Sequence, residues 1–143
     1  MQATARKTLI RRLGAQDLTK LAALSTRLEA ETAEHWAERL RGDDTVILGA
    51  ETDGVLVGYA AGAVRRSFGR AAAAGWVDAF GIDLSRRGHG VGRELASAFL
   101  AELRGRGADH VFTLVPLHDR TLAPFFRDLG FRDEPQVCLG RPL

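Results

Sequence analysis

The stretch Ile82-Asp83-Leu84-Ser85-Arg86-Arg87-Gly88-His89-Gly90-Val91-Gly92-Arg93 decides the fold. Before it, Ala74 to Asp83 reads as a strand. After it, Val91, Leu95, Phe99 and Leu103 recur four apart, which is the apolar stripe of a helix over Val91 to Arg104. Gly105 and Gly107 end that helix, and His110 to Val115 reads as a second strand. Strand, loop, helix and strand make one βαβ unit. Glycines at such a junction allow positive φ and close approach of the backbone to an anion. The helix start adds free N–H groups and a dipole that favour phosphate. A Walker A loop is excluded, because no Gly-Lys-Ser/Thr ending is present. A dinucleotide fingerprint needs a third glycine where Arg93 stands, and too few strands follow for a doubly wound sheet. A plain glycine-rich turn without a ligand is the alternative.

Outward from this unit the chain reads as antiparallel structure. Thr8 to Arg12 is a short strand. Asp17 fits an N-cap before Leu18, Leu21, Leu24 and Leu28, spaced as one helix face. Ala33, Trp36, Ala37 and Leu40 share a face of a second helix, stopped at Gly42-Asp43. Thr45 to Glu51 and Val55 to Arg66 are strands joined by Thr52-Asp53-Gly54, a tight hairpin signal. Alternation puts Val55, Val57, Tyr59, Ala61 and Ala63 on one face, and a further turn falls near Phe68-Gly69. Leu122 to Leu129 forms the last helix, with Gly130 and Phe131 suited to a Schellman cap. Glu134 to Leu143 adds a possible edge strand. The fold class is α+β: a mixed, mostly antiparallel sheet flanked by about four helices in a single domain over 1–143.

The pattern R-x-x-G-x-G, carried by Arg87, Gly90 and Gly92, resembles the acyl-CoA pyrophosphate loop of the GNAT superfamily of N-acetyltransferases. The approach to that loop departs from the family pattern, with Leu84 where a proline is usual. The segment Asp119 to Phe131 is similar to the family's N-x-x-A-x-x-(L/F)-Y-x-x-x-G-F in hydrophobic spacing and Gly-Phe ending. Asp119 replaces its asparagine and Phe126 its tyrosine. The element order also resembles this family, so the likeness covers almost the whole chain.

The resemblance implies acetyl-CoA as cofactor, with CoA as product. It implies that the strands on either side of the loop splay and that pantetheine lies in the gap, against the backbone of Ile82, Asp83 and Leu84. Arg87, Gly88, His89, Gly90, Val91, Gly92 and Arg93 would hold the pyrophosphate. Asp119 and Phe126 occupy the family's remaining cofactor positions. Gly81, inside a strand, suggests a bulge or a close approach. Asp78 is the candidate base for the attacking amine. Alternation puts it on one face with Phe80 and Ile82, and a strand carboxylate paired with arginine is the alternative. Phe126 cannot donate a proton to the leaving thiolate and equally suits a core position. His118 is a candidate acid, or simply an exposed loop histidine.

The implied function is acetyl transfer to a primary amine of a small molecule or peptide by direct attack in a ternary complex. A non-catalytic CoA- or acyl-CoA-binding module is the alternative. Glu29, Glu31, Glu34, Glu38, Asp43, Asp44, Glu51 and Asp53 form an acidic stretch. It would favour a cationic acceptor, or be a solvated surface with spaced Glu–Arg pairs.

Composition sets the outer bounds. The 143 residues are 45% hydrophobic and 27% charged, which excludes disorder as the main state. Twenty basic residues against eighteen acidic give a net charge of +2, too small an excess to argue for nucleic acid. Cys138 is the single cysteine, and the four histidines lack metal-ligand spacing, so neither a disulfide nor a metal site is expected. No secretory leader or apolar run of spanning length is read. A cytoplasmic protein without membrane or nucleic-acid partners is expected, with a homodimer possible.

Overall fold

The computed structural model describes residues 7–66 and 72–143; the turn expected near Phe68-Gly69 lies outside them. The sheet runs in the order β1 (Thr8–Arg12), β2 (Val46–Thr52), β3 (Val55–Arg66), β4 (Ala73–Ile82), β5 (Val111–Thr113). The first four strands pair antiparallel, and β5 joins β4 in parallel. Helices α1 (Leu18–Arg27) and α2 (Ala33–Arg41) cover one face. Helices α3 (Val91–Gly105) and α4 (Leu122–Asp128) belong to the other.

Each face has its own core. Leu21, Leu24 and Trp36 pack on Leu56, Tyr59 and Ala61. Leu95, Phe99, Leu103 and Phe126 pack on Leu48, Ala60, Val77 and Ile82. The four-residue spacing of α3 thus reaches the sheet as its stripe implies, each large side chain contributing about 1.5–3 kcal/mol on burial. The βαβ unit is β4–α3–β5. In the β2–β3 hairpin Asp53 and Gly54 have φ of 53° and 78°, as the right-handed strand twist favours. Helix α4 ends as its sequence implies: Gly130 has φ 98°, and the Phe131 N–H donates to the Phe126 carbonyl at 3.0 Å.

Two irregularities break the simple alternation. Ala50 pairs with Gly58 and Glu51 with Leu56, so Val57 is an extra residue in β3. It joins the α3 core, while Tyr59 and Ala61 face α1 and α2. The shared face expected for Val57, Tyr59 and Ala61 is therefore corrected. In β4, Ala61 pairs with Ala79 and Gly62 with Val77, leaving Asp78 as the bulged residue. Gly62 makes this possible: a β-carbon there would sit 1.8 Å from the Trp76 carbonyl oxygen. Gly81 is not the bulge. It makes room for the Tyr59 ring, whose Cζ would lie 2.7 Å from a β-carbon at that position.

Two further expectations are corrected. Asp17 precedes α1, but its carboxylate makes no cap; it turns to Arg11 and to the Gly14 N–H. Glu134 to Leu143 forms no strand. Pro135 and Pro142 lack the N–H that a ladder needs, and β5 offers only three paired residues.

Candidate active site

The ladder between β4 and β5 has three rungs: Gly75 with Val111, Trp76 with Phe112, and Val77 with Thr113. The Thr113 hydroxyl donates to the Val77 carbonyl at 2.9 Å and closes it. Beyond Val77 the two strands part, and β4 runs on to Ile82 without β5, still paired with β3. The sheet therefore opens into a fork whose β4 side is residues 78–82.

The glycine loop lies at the end of this fork. A 3-10 turn over Leu84–Arg86 leads into it. Asp83 organises the approach: one carboxylate oxygen accepts from the Ser85 N–H and hydroxyl, and the other from Arg27 at 3.1 Å. The Ser85 N–H, then its hydroxyl and Arg27, hold this carboxyl below the usual range despite burial. The Asp83 N–H is already given to the Val57 carbonyl at 2.7 Å. The Leu84 carbonyl likewise accepts from the Arg87 N–H at 3.3 Å, which leaves the backbone of Ile82 and the N–H of Leu84 as the main-chain partners for a ligand. Gly88 and Gly90 have φ of 84° and 82°, and Gly90 caps α3 without any side-chain cap bond. The first N–H groups of a fifteen-residue helix thus point into the loop. A β-carbon at Gly92 would meet the Phe125 ring at 3.2 Å, so this glycine lets the helix start press against α4. Uncapped donors, left-handed glycines and an open strand pair fit a pyrophosphate with a long arm.

Asp119 sits across from the loop. Its Oδ1 accepts from the Thr121 and Leu122 N–H groups, both at 2.8 Å. Those two bonds hold its carboxyl below the usual range, with a smaller contribution from the Arg87 charge. Phe126 is 5% exposed. Its ring packs in an aromatic cluster with Phe80, Phe125 and Phe131, at centroid distances of 5.7, 5.4 and 5.0 Å. His118 is exposed in the turn before α4.

Asp78 stands at the mouth of the fork. The bulge turns it away from Phe80 and Ile82, which join the α3 core, and toward α2; the shared face expected for these three is corrected. Both its oxygens accept from the Arg65 guanidinium, Nη1 to Oδ2 at 3.0 Å and Nη2 to Oδ1. Arg39 approaches Oδ2 to 4.0 Å and is itself forked onto Glu31 at 2.7 and 2.5 Å. Each arginine lies over an indole 5.7 Å from its centroid, Arg39 on Trp36 and Arg65 on Trp76. Sequence reasoning missed Arg39, Arg65 and Trp76. The signal was Gly62, opposite the bulge; without it the register of Arg65 and Asp78 cannot be counted. In the acidic stretch, Glu31 and Glu51 are taken up by Arg39 and Arg11.

The profile of the acetyltransferase (GNAT) family matches residues 13–131, which spans β2–β5, the glycine loop and the Gly-Phe ending. The chain belongs to the GNAT acetyltransferase family. Solved structures agree on the fold. The aminoglycoside N-acetyltransferase AAC(6')-Iy in complex with CoA superposes with a TM-score of 0.87 at 18% identity, covering 99% of both chains. A ribosomal-protein-alanine N-acetyltransferase from Brucella melitensis biovar Abortus 2308 gives 0.81 at 18% identity, covering 94% of this chain and 99% of that one. The aminoglycoside acetyltransferase meta-AAC0020, from an uncultured soil metagenomic sample in complex with sisomicin, gives 0.76 at 20%, covering 95% of each. No curated protein matches the chain in sequence. As a GNAT member the chain belongs to a family of acetyl-CoA-dependent N-acetyltransferases. Among the described residues no helix is long and apolar enough to cross a membrane.

Proposed function

We propose that the chain transfers acetyl from acetyl-CoA to a primary amine by direct attack within a ternary complex. The observation that carries this reading is the fork beyond Val77 and Thr113, with the uncapped start of α3 at its end and one carboxylate, Asp78, at its mouth. Acetyl-CoA supplies an activated thioester. The loop from Arg87 to Arg93 holds the pyrophosphate through the N–H groups of Val91, Gly92 and Arg93, and the Arg87 and Arg93 side chains add charge-assisted bonds. The backbone of Ile82 and Leu84 aligns the arm along β4. Holding amine and thioester side by side removes much of the entropic barrier. Asp78 pairs with the incoming ammonium and takes its proton, so the attacking nitrogen carries a lone pair. Phe80, Phe125 and Phe126 exclude water from one side of the fork. With phenylalanine at 126, the departing thiolate takes its proton from water or from His118.

The buried Phe126 ring also supports a second reading, a CoA-binding module without turnover. The two part on one measurement. Purified protein, acetyl-CoA and a panel of primary amines should release free thiol, and Gly90→Asp should abolish it. That variant sets an anion in the phosphate loop at a left-handed position. An acetyl-CoA-induced thermal shift without thiol release from any amine favours the module. No shift at millimolar acetyl-CoA or CoA overturns both.

A further inference from the structure

Asp78 holds Arg65 as a binding site holds a ligand, and that ligand is part of the chain. The Arg65 guanidinium is bidentate on its carboxylate and lies over the Trp76 indole. A carboxylate beside an aromatic face is a recognition pair for an organic cation. The pair lines a cavity of about 290 Å³ with Val77 and Leu114, at the point where β4 and β5 separate. The two arginines near Asp78 differ in how firmly they are fixed. The Arg39 side chain is 25% exposed and forked onto Glu31. The Arg65 side chain is 47% exposed, and among the described residues its ion pair is with Asp78 alone. Arg65 is thus the partner that can leave.

We infer that Arg65 is an internal stand-in for the acceptor: its guanidinium occupies an organic-cation subsite formed by Asp78 and Trp76, which a cationic primary amine takes by displacing it. This rests on the acetyl-transfer reading and names its substrate class and its regulation. While Arg65 holds both oxygens, Asp78 cannot receive a proton from an acceptor. Arrival of an ammonium group releases Arg65 toward solvent and puts the acceptor nitrogen on Asp78 at the fork mouth. The Trp76 face then carries the acceptor's chain. The subsite favours alkylammonium acceptors over anionic ones, because no cation remains on Asp78 to meet an anion except Arg39, which Glu31 already holds.

The test is binding of spermidine, followed by tryptophan fluorescence on the full chain without cofactor. Arg65→Met keeps an apolar stem over Trp76 and removes the competitor, so spermidine should bind about two- to fivefold tighter, the scale of a half-exposed ion pair. Arg65→Lys keeps the charge and should bind as the wild type does. Asp78→Asn should lose the response in both backgrounds. Urea midpoints confirm that each variant is folded. Spermidine binding to Arg65→Met no tighter than to wild type, or undiminished by Asp78→Asn, overturns the inference. An acetyl-CoA thermal shift, measured separately, keeps its failure distinct from failure of the acetyl-transfer reading.

Discussion

Asp17 shows how one buried charge ties the sheet to the first helix. It is 4% exposed, and its carboxylate takes two bonds from Arg11, at 2.7 and 3.1 Å, and one from the Gly14 N–H. Arg11 in turn spans to Glu51 in β2 through Nε and Nη2. The Arg11 bonds, opposed by burial and assisted by the Gly14 N–H, hold the Asp17 carboxyl below its usual range. A carboxyl depressed in the folded state stabilises fully above its unfolded value near 3.9 and loses that contribution as pH falls through the folded value. Asp17→Ala should therefore cost roughly 1–2 kcal/mol at pH 7, since it leaves the Gly14 N–H without its acceptor and Arg11 with Glu51 as its remaining carboxylate. It should also flatten the acid limb of stability below about pH 4. Urea midpoints of both proteins from pH 7 to pH 2 measure this, and parallel acid limbs would refute it.

At the scale of elements, α4 depends on a residue outside it. Asp119 binds the Thr121 and Leu122 N–H groups, an arrangement that asparagine can also make. Asp119→Ala should cost about 1 kcal/mol, while Asp119→Asn should cost only a few tenths. Equal losses in urea melts of the two variants would mean that charge near Arg87, not capping, sets the effect. Elements of this kind were largely legible in the sequence. Apolar spacing placed α1–α4, and Asp53-Gly54 and Gly130-Phe131 placed a hairpin and a helix end, because each signal is local. The fork was legible only through the family likeness. The identity of the bulged residue was not legible, because a strand register depends on which glycine yields to a carbonyl of the neighbouring strand. Gly62 and Gly81 look alike in the chain; one accepts the Trp76 carbonyl and the other a tyrosine ring. The one-residue shift at Asp78 moved the candidate base to the face of α2 and brought Arg39 and Arg65 to it.

At the scale of the molecule, the small net charge of +2 hides local pairing. Arg11, Arg39 and Arg65 each neutralise carboxylates on the α1–α2 side, while Arg86, Arg87 and Arg93 cluster around the glycine loop. One sheet serves both sides. Strands β2–β4 contribute Ile47, Leu56 and Ala61 to the α1–α2 core, and Leu48, Ala60 and Val77 to the α3–α4 core. Loss of either core removes the support of strands that the other needs, so the chain should unfold in one transition. Trp36 reports on the α1–α2 side and is fully buried, at 0% exposure. Leu95, also at 0%, lies in the core on the opposite face. Leu95→Ala should cost about 2–5 kcal/mol. In a Trp76→Phe background, where Trp36 is the only indole, that loss should appear undiminished in the Trp36 fluorescence midpoint and coincide with the midpoint from far-UV circular dichroism. A Trp36 transition that stays in place while the dichroism transition moves would show that the two faces fold as separate units. The fork between β4 and β5 would then be supported by the α3–α4 side alone, and acceptor-side substitutions would leave cofactor binding untouched.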